Sequence, residues 1–195
     1  MKDRVFYDHS HTSRHLSASK WKIFHQRTGE IPADVRHWLL DEGSLSLRLI
    51  KASNNAFSVR VLRQGWSTPV LSERQSLGLS ARTTAQIRET LLLCNGEPWV
   101  YARSVIPAHT LSGRARCLRQ LGTKSLGSWL FREPTMSRHP FEIARLRPDN
   151  DLVPADIQGQ QTLWGRRSRF EVLGQPLLVA EIFLPAFQAW PIVGG

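Results

Sequence analysis

The side chains best placed to do chemistry are a pair of arginines flanking a tight turn, one carboxyl group set in an apolar run, and a polar turn that opens a short helix. Arg88 and Arg103 lie on either side of Asn95-Gly96, within runs rich in β-branched, aromatic and Leu residues, Arg88 to Cys94 and Glu97 to Ile106. Asn-Gly tolerates the positive φ that a type I′ turn requires, so a hairpin is predicted here. With that turn, Cys94 faces Glu97, Leu92 faces Trp99, Thr90 faces Tyr101 and Arg88 faces Arg103, all on one face. Like charges directly opposite destabilise a ladder by up to about 1 kcal/mol, so this register makes most sense with a dianion between the guanidinium groups. The pattern also admits both arginines being solvated on an open face, or a bulge at Pro98 that breaks the register.

Glu181 sits among Leu177, Val179, Ala180, Ile182 and Phe183, so either orientation of the strand gives its carboxyl group apolar neighbours. Burial disfavours the charged form and raises a carboxyl pKa, which suits a general acid or base. The other reading is an ion pair with an arginine of the run Arg166, Arg167 and Arg169. Thr123-Lys124-Ser125 opens a short helix, Leu126 to Phe131, whose exposed amides and positive end could hold an anion, with Gly127 allowing close approach; it could equally be an ordinary capped helix. His9, His11 and His15 could begin a metal site, but no later residue completes one, and no metal is expected. Nucleophile elbows, Walker loops and dinucleotide-binding glycine motifs are absent, as are recognised nucleic-acid-binding motifs.

The elements that must position these residues follow in order. Residues 1–30 read as a polar arm docking through Trp21, Ile23 and Phe24. Pro32 starts a helix containing Val35, Trp38 and Leu39 that ends at Gly43. Ser44 caps a second helix, Leu45 to Ala52, and Phe57 to Arg63 alternates as a strand. Residues 67–85 read as a long irregular connection of the kind used for lids or binding segments. After the hairpin, Thr110 or Ser112 caps a helix with Ala115, Leu118 and Leu121 on one stripe, stopped by Gly122. Residues 136–144 read as a strand broken by Pro140, and 147–161 as a surface loop. Trp164 to Leu173 and Pro176 to Leu184 form a last hairpin about Gly174-Gln175, and residues 188–195 are a tail.

At 195 residues the chain fits one domain, expected over 31–187. Lys and Arg number 26 against 16 Asp and Glu, a net charge of +10, which attracts anions without choosing among them. Cys94 and Cys117, with no Cys-x-x-Cys, fit a reducing cytoplasmic compartment without structural zinc. No run approaches a membrane span, and the start lacks a signal peptide's apolar core.

Several motifs together carry a family resemblance. Leu93-Cys-Asn-Gly-Glu-Pro-Trp99, Arg103-Ser-Val-Ile-Pro107, Thr110-Leu-Ser-Gly113, Leu121-Gly122 with Leu126-Gly127, Leu163-Trp-Gly-Arg-Arg-Ser-Arg169 and Pro176 to Pro185 resemble the chorismate pyruvate-lyase family of ubiquinone biosynthesis. The match runs from about Pro32 to Pro185 in unbroken order. The resemblance implies an α+β fold, an antiparallel sheet covered by helices that enclose a ligand pocket. It also implies a cofactor-free lyase that converts chorismate to 4-hydroxybenzoate and pyruvate. An Arg matching Arg88 would hold the ring carboxylate with help from the backbone amide of Leu126, and a Glu matching Glu181 would meet the oxygen at the opposite end. Leu45 stands where the family has a pocket-closing Met, a swap of similar volume. Arg103 is expected to bind or guide the second carboxylate. The segment between Ala144 and Leu163 and the N-terminal arm are longer than the family pattern.

Chorismate is thus the expected partner, with no nucleic acid, no membrane span and a monomer favoured. Two other classes compete: a non-catalytic aromatic-acid-sensing module of the same fold, which the absence of a helix-turn-helix before residue 31 disfavours, and a basic nucleic-acid-binding domain with steep salt dependence.

Overall fold

The computed structural model describes residues 20–23 and 31–189. His9, His11, His15, Phe24 and Trp190 lie outside them. All strands join one antiparallel sheet in the order β1-β6-β7-β8-β4-β3-β2, with β5 pairing β7. The strands are β1 (Lys22–Ile23), β2 (Phe57–Ser67), β3 (Ala85–Cys94), β4 (Glu97–Pro107), β5 (Ser137–Arg138), β6 (Glu142–Leu146), β7 (Leu163–Val172) and β8 (Gln175–Phe183). The helices are α1 (Ala33–Leu39), α2 (Leu45–Ala52), α3 (Leu71–Leu77), α4 (Leu126–Leu130) and α5 (Ala155–Gln158), with 3-10 turns at Ala108–Thr110 and Gly113–Gln120. This is the α+β architecture expected.

Alternation along each strand divides the core in two. On one face, Leu92, Cys94, Val100 and Phe183 pack against Trp38, Leu39, Leu45 and Leu49 of α1 and α2. Farther along that face, Ile106, Phe170 and Leu177 meet Leu118, Leu126 and Leu130. On the other face, Leu91, Tyr101 and Ile182 pack with Leu152 and Val153, and Ile87, Val105 and Leu178 with Leu77 of α3. Each face therefore has a polar strip between two apolar clusters.

The central hairpin turns as expected, with Asn95 at φ 53 and Gly96 at φ 83. Its register is not the regular one but the alternative, broken by a bulge at Pro98. Cys94 pairs with Glu97, but Leu93 pairs with Pro98 and Leu92 with Val100, so Trp99 is the extra residue of a bulge. Pro98 cannot donate to the ladder, and a bulge is a position where proline is tolerated. The extra residue also sends Trp99 into the same cluster as Val100, where its ring lies 5.3 Å from Phe187. Beyond the bulge every pairing shifts by one: Arg103 faces Glu89, and Arg88 faces Ser104. Arg88 and Arg103 thus lie on opposite faces, and the two-arginine clamp does not exist.

Two segments expected to be irregular contain helices. The 67–85 connection holds α3, whose Glu73 Oε2 accepts from the Val70 amide at 3.0 Å. The 147–161 segment holds α5, and Asn150 and Gln158 are buried in it rather than on the surface. Asn150 Oδ1 accepts from the amides of Leu152 and Val153, both at 2.8 Å, and the Asn150 and Gln158 amides bond each other. In the N-terminal segment Trp21 packs on the cluster of Leu146 and Ile182, while Ile23 is exposed.

Candidate active site

Arg88 rises from the middle of β3 and is almost fully buried, at 3 % exposure. Its guanidinium donates to Gln64 Oε1 at 2.7 Å and to the carbonyl oxygens of Gly122 and Lys124 at 2.9 and 3.1 Å. Gly122, at φ 56, makes the turn that presents those carbonyls. No carboxylate pairs with Arg88 among the described residues, and burial pulls its pKa below the usual arginine value. A buried cation without a counter-ion is costly unless an anion comes to it.

That arginine lines a narrow cavity of about 30 Å³. Thr90, Ala102, Ser104 and Val179 of the sheet line it from below, with Glu181 also on the lining. Ser46 of α2 and Ser125, Leu126 and Gly127 of α4 complete the wall. The helices meet there: Ser46 Oγ and Ser125 Oγ are hydrogen-bonded at 2.6 Å. Ser44 and Ser125 cap α2 and α4, accepting from the amides of Leu47 and Ser128 at 3.5 and 3.3 Å. A Cβ at Gly127 would stand 3.5 Å from the Ser46 and Ser125 hydroxyls, an ordinary contact distance, so Gly127 sits where the two helix starts meet without being sterically required there. Leu126 is the first residue of α4, where amides have no acceptor within the helix. Leu45 is buried in the apolar cluster with Trp38 and Leu49; the α2 residue on the cavity wall is Ser46.

Glu181 is not an isolated carboxyl group. Its Oε2 pairs with Arg166 Nε at 2.7 Å, the alternative that the arginine run allowed. Arg166 is 1 % exposed. Its Nη1 donates to the carbonyls of Trp38, Leu39 and Asp41 at 2.9, 3.4 and 2.9 Å, fastening the end of α1 to the sheet. The Glu181 side chain keeps 18 % exposure and lines the cavity, so the arginine orients it without sealing it off.

Arg103 has a different setting. Its Nε and Nη2 bond Glu73 of α3 at 2.7 and 3.1 Å, and its Nη1 bonds Glu89. Burial alone would lower its pKa, but Glu73 carries it above the usual arginine value. With its donors taken by carboxylates on the far face, Arg103 is not a ligand for a substrate carboxylate in the cavity. Arg166 was named in the sequence only as one of three possible partners of Glu181; what sequence reasoning missed on the cavity side is Gln64, Ser46 and Ser104. No pattern in the sequence marks those three polar residues as a group.

Among the described residues, no helix is long and apolar enough to cross a membrane. A family model described as chorismate lyase matches residues 16–192. A probable chorismate pyruvate-lyase of Pseudomonas putida is 40% identical over 177 residues, covering 91% of this chain and 94% of that protein. Another from Methylococcus capsulatus is 43% identical over 160 residues, covering 80% and 98%. Among solved structures, the C-terminal domain of the histidine utilization repressor from Pseudomonas syringae is similar in fold. It superposes with a TM-score of 0.52 at 14% identity, over 71% of this chain and 97% of that one. The share of the chain matched by the family model and the identity to these relatives agree: this chain belongs to the chorismate lyase family.

Proposed function

We infer that this protein is a chorismate pyruvate-lyase, releasing 4-hydroxybenzoate and pyruvate without a cofactor. Its relatives carry that name over nearly their whole length. The observation that supports the reading in this chain is Arg88: a buried guanidinium with no carboxylate partner among the described residues, on a narrow cavity that also presents Glu181. Arg88 holds the ring carboxylate, with the Leu126 amide assisting, and Glu181 meets the ring hydroxyl. Leu45 backs the wall that Ser46 faces. The ring carbon bearing the hydroxyl loses its hydrogen as its neighbour loses the enolpyruvyl oxygen. The ring becomes aromatic, and the released proton is returned when the enol becomes pyruvate. Aromatisation is strongly downhill, so positioning and modest acid–base help suffice. Residues 31–187 carry the activity, as a monomer in the cytoplasm, at the entry to ubiquinone synthesis.

Mixing the purified protein with chorismate and following 4-hydroxybenzoate by ultraviolet absorption tests the reading; absence of product sinks it. Glu181→Gln is expected to lower kcat by about 100-fold or more with 4-hydroxybenzoate affinity within a few-fold. Near-normal turnover would remove Glu181 from the acid–base role.

A further inference from the structure

Chorismate carries two carboxylates, and Arg103 is turned away from the cavity. The receptor for the second carboxylate must then come from another side chain on the Arg88 face. The ladder supplies a direction. Arg88 pairs with Ser104, Ser104 with Val179, and Val179 with Ser168, forming one cross-strand row on the cavity face. The neighbouring row is Thr90, Ala102, Glu181 and Arg166. The first row has small floor residues between its ends. At its far end, Arg138 of β5 reaches in and donates from Nε to Ser168 Oγ at 3.0 Å. Three strand steps of about 4.8 Å separate Arg88 from Ser168, about 14 Å in all.

Arg138 resembles Arg88 in the one respect that matters for an anion. Of the arginines around Glu181, Arg48 pairs with Asp41 and Arg166 with Glu181 itself. Among the described residues, Arg88 and Arg138 instead have only carbonyl, amide and hydroxyl oxygens as bonded partners. For Arg138 these are Ser168 Oγ and the Glu42 carbonyl at 3.2 Å. The guanidinium is stacked 3.9 Å from the Phe141 ring centroid and 5.1 Å from that of Phe170, which fixes its plane. Burial pulls its pKa down to about 10, so it is charged at neutral pH. It lines a cleft with Glu42, Met136 and Phe141 that is separate from the Arg88 cavity, and Glu181, on the wall of that cavity, is close enough to act on the Arg138 charge.

We propose that Arg138 is the second anion-binding group of the site, receiving the enolpyruvyl carboxylate at the far end of the row that Arg88 begins. This rests on the lyase reading above. The enolpyruvyl ether sits on the ring carbon beside the one that carries the hydroxyl. With the ring carboxylate at Arg88 and the hydroxyl at Glu181, the side chain projects sideways from Glu181, and the Ser168–Arg138 side supplies the unpaired cation. 4-Hydroxybenzoate lacks that carboxylate, so Arg138 distinguishes substrate from product.

The test compares the two ligands. In Arg138→Met, KM for chorismate rises about tenfold or more, while Kd for 4-hydroxybenzoate stays within about twofold. Arg138→Lys, which keeps the charge, recovers part of the chorismate KM. Ser168→Ala, which frees the guanidinium, moves KM the same way by less. A clamp that merely holds the Glu42 loop would weaken both ligands alike, and that result, or an unchanged chorismate KM, overturns the proposal. If Arg138→Met fails to fold, the Lys and Ala variants decide on the same two readings. Wild-type turnover of chorismate is the control: its absence refutes the lyase reading, whereas its presence with parallel ligand losses refutes only the role of Arg138.

Discussion

Both faces of the sheet carry an arginine from the central hairpin in a polar strip between apolar clusters, Arg88 on one side and Arg103 on the other. Arg103 is met by carboxylates from α3 and β3. Arg88 is met only by neutral oxygens, from Gln64 and the loop before α4. Packing and burial are similar; the counter-ion is what differs. A helix that brings a glutamate turns such a strip into a structural ion pair, and helices that bring only serines and leucines leave a place for an anion. Tyr101, buried beside the Arg103 network, belongs to the structural strip; burial and Glu89 push its phenol pKa up.

The comparison breaks most visibly at Arg103. Arg103→Met leaves Glu73 and Glu89 buried without a cation, and is expected to cost about 3–5 kcal/mol of stability. Calorimetry should show Tm lower by roughly 10 °C, with KM for chorismate nearly unchanged in the folded protein. A large rise in KM without loss of Tm would mean that the faces had been assigned the wrong roles. Arg88→Met should do the reverse. Losing charge-assisted hydrogen bonds to a carboxylate costs about 1.5–3 kcal/mol of binding, so Kd for 4-hydroxybenzoate rises about tenfold to 100-fold. Its Tm should hold or increase, because an unpaired buried charge is removed; a Tm drop as large as that of Arg103→Met would end the contrast. The smallest effect is expected at Ser125→Ala, which loses the α4 cap and the Ser46 bond. About 1 kcal/mol of stability and a few-fold loss of affinity should result, and unchanged behaviour in both would show that the serine contact is incidental.

Much of this plan was legible in the residues. Asn95-Gly96 announces its turn because few side chains accept positive φ at consecutive positions, and Ser44 announces α2 because its hydroxyl caps the helix locally. A bulge at Pro98 was legible only as one alternative, since the choice between registers involves Trp99 meeting Phe187, a contact between segments far apart in the chain. Helix α3 was missed for a similar reason. Leu71 and Leu77 make no apolar stripe, and the helix is tied down by Glu73, which caps it and pairs with Arg103. Asn150 and Gln158 read as surface residues because polar side chains usually are; here each satisfies the other and nearby backbone. Of the site, Arg88 and Glu181 could be named, whereas Arg166 could be proposed only as one member of an arginine run. Their surroundings come from strands brought together by the sheet.

Arg166 has a further consequence. One guanidinium grips the proposed reactive carboxylate with Nε and the end of a roof helix with Nη1. The enzyme therefore cannot trade rigidity of that helix against freedom of Glu181. Selection for thermal tolerance acting on α1 would be felt as a change in turnover, and directed evolution of turnover at Glu181 would be felt in the melting of the roof.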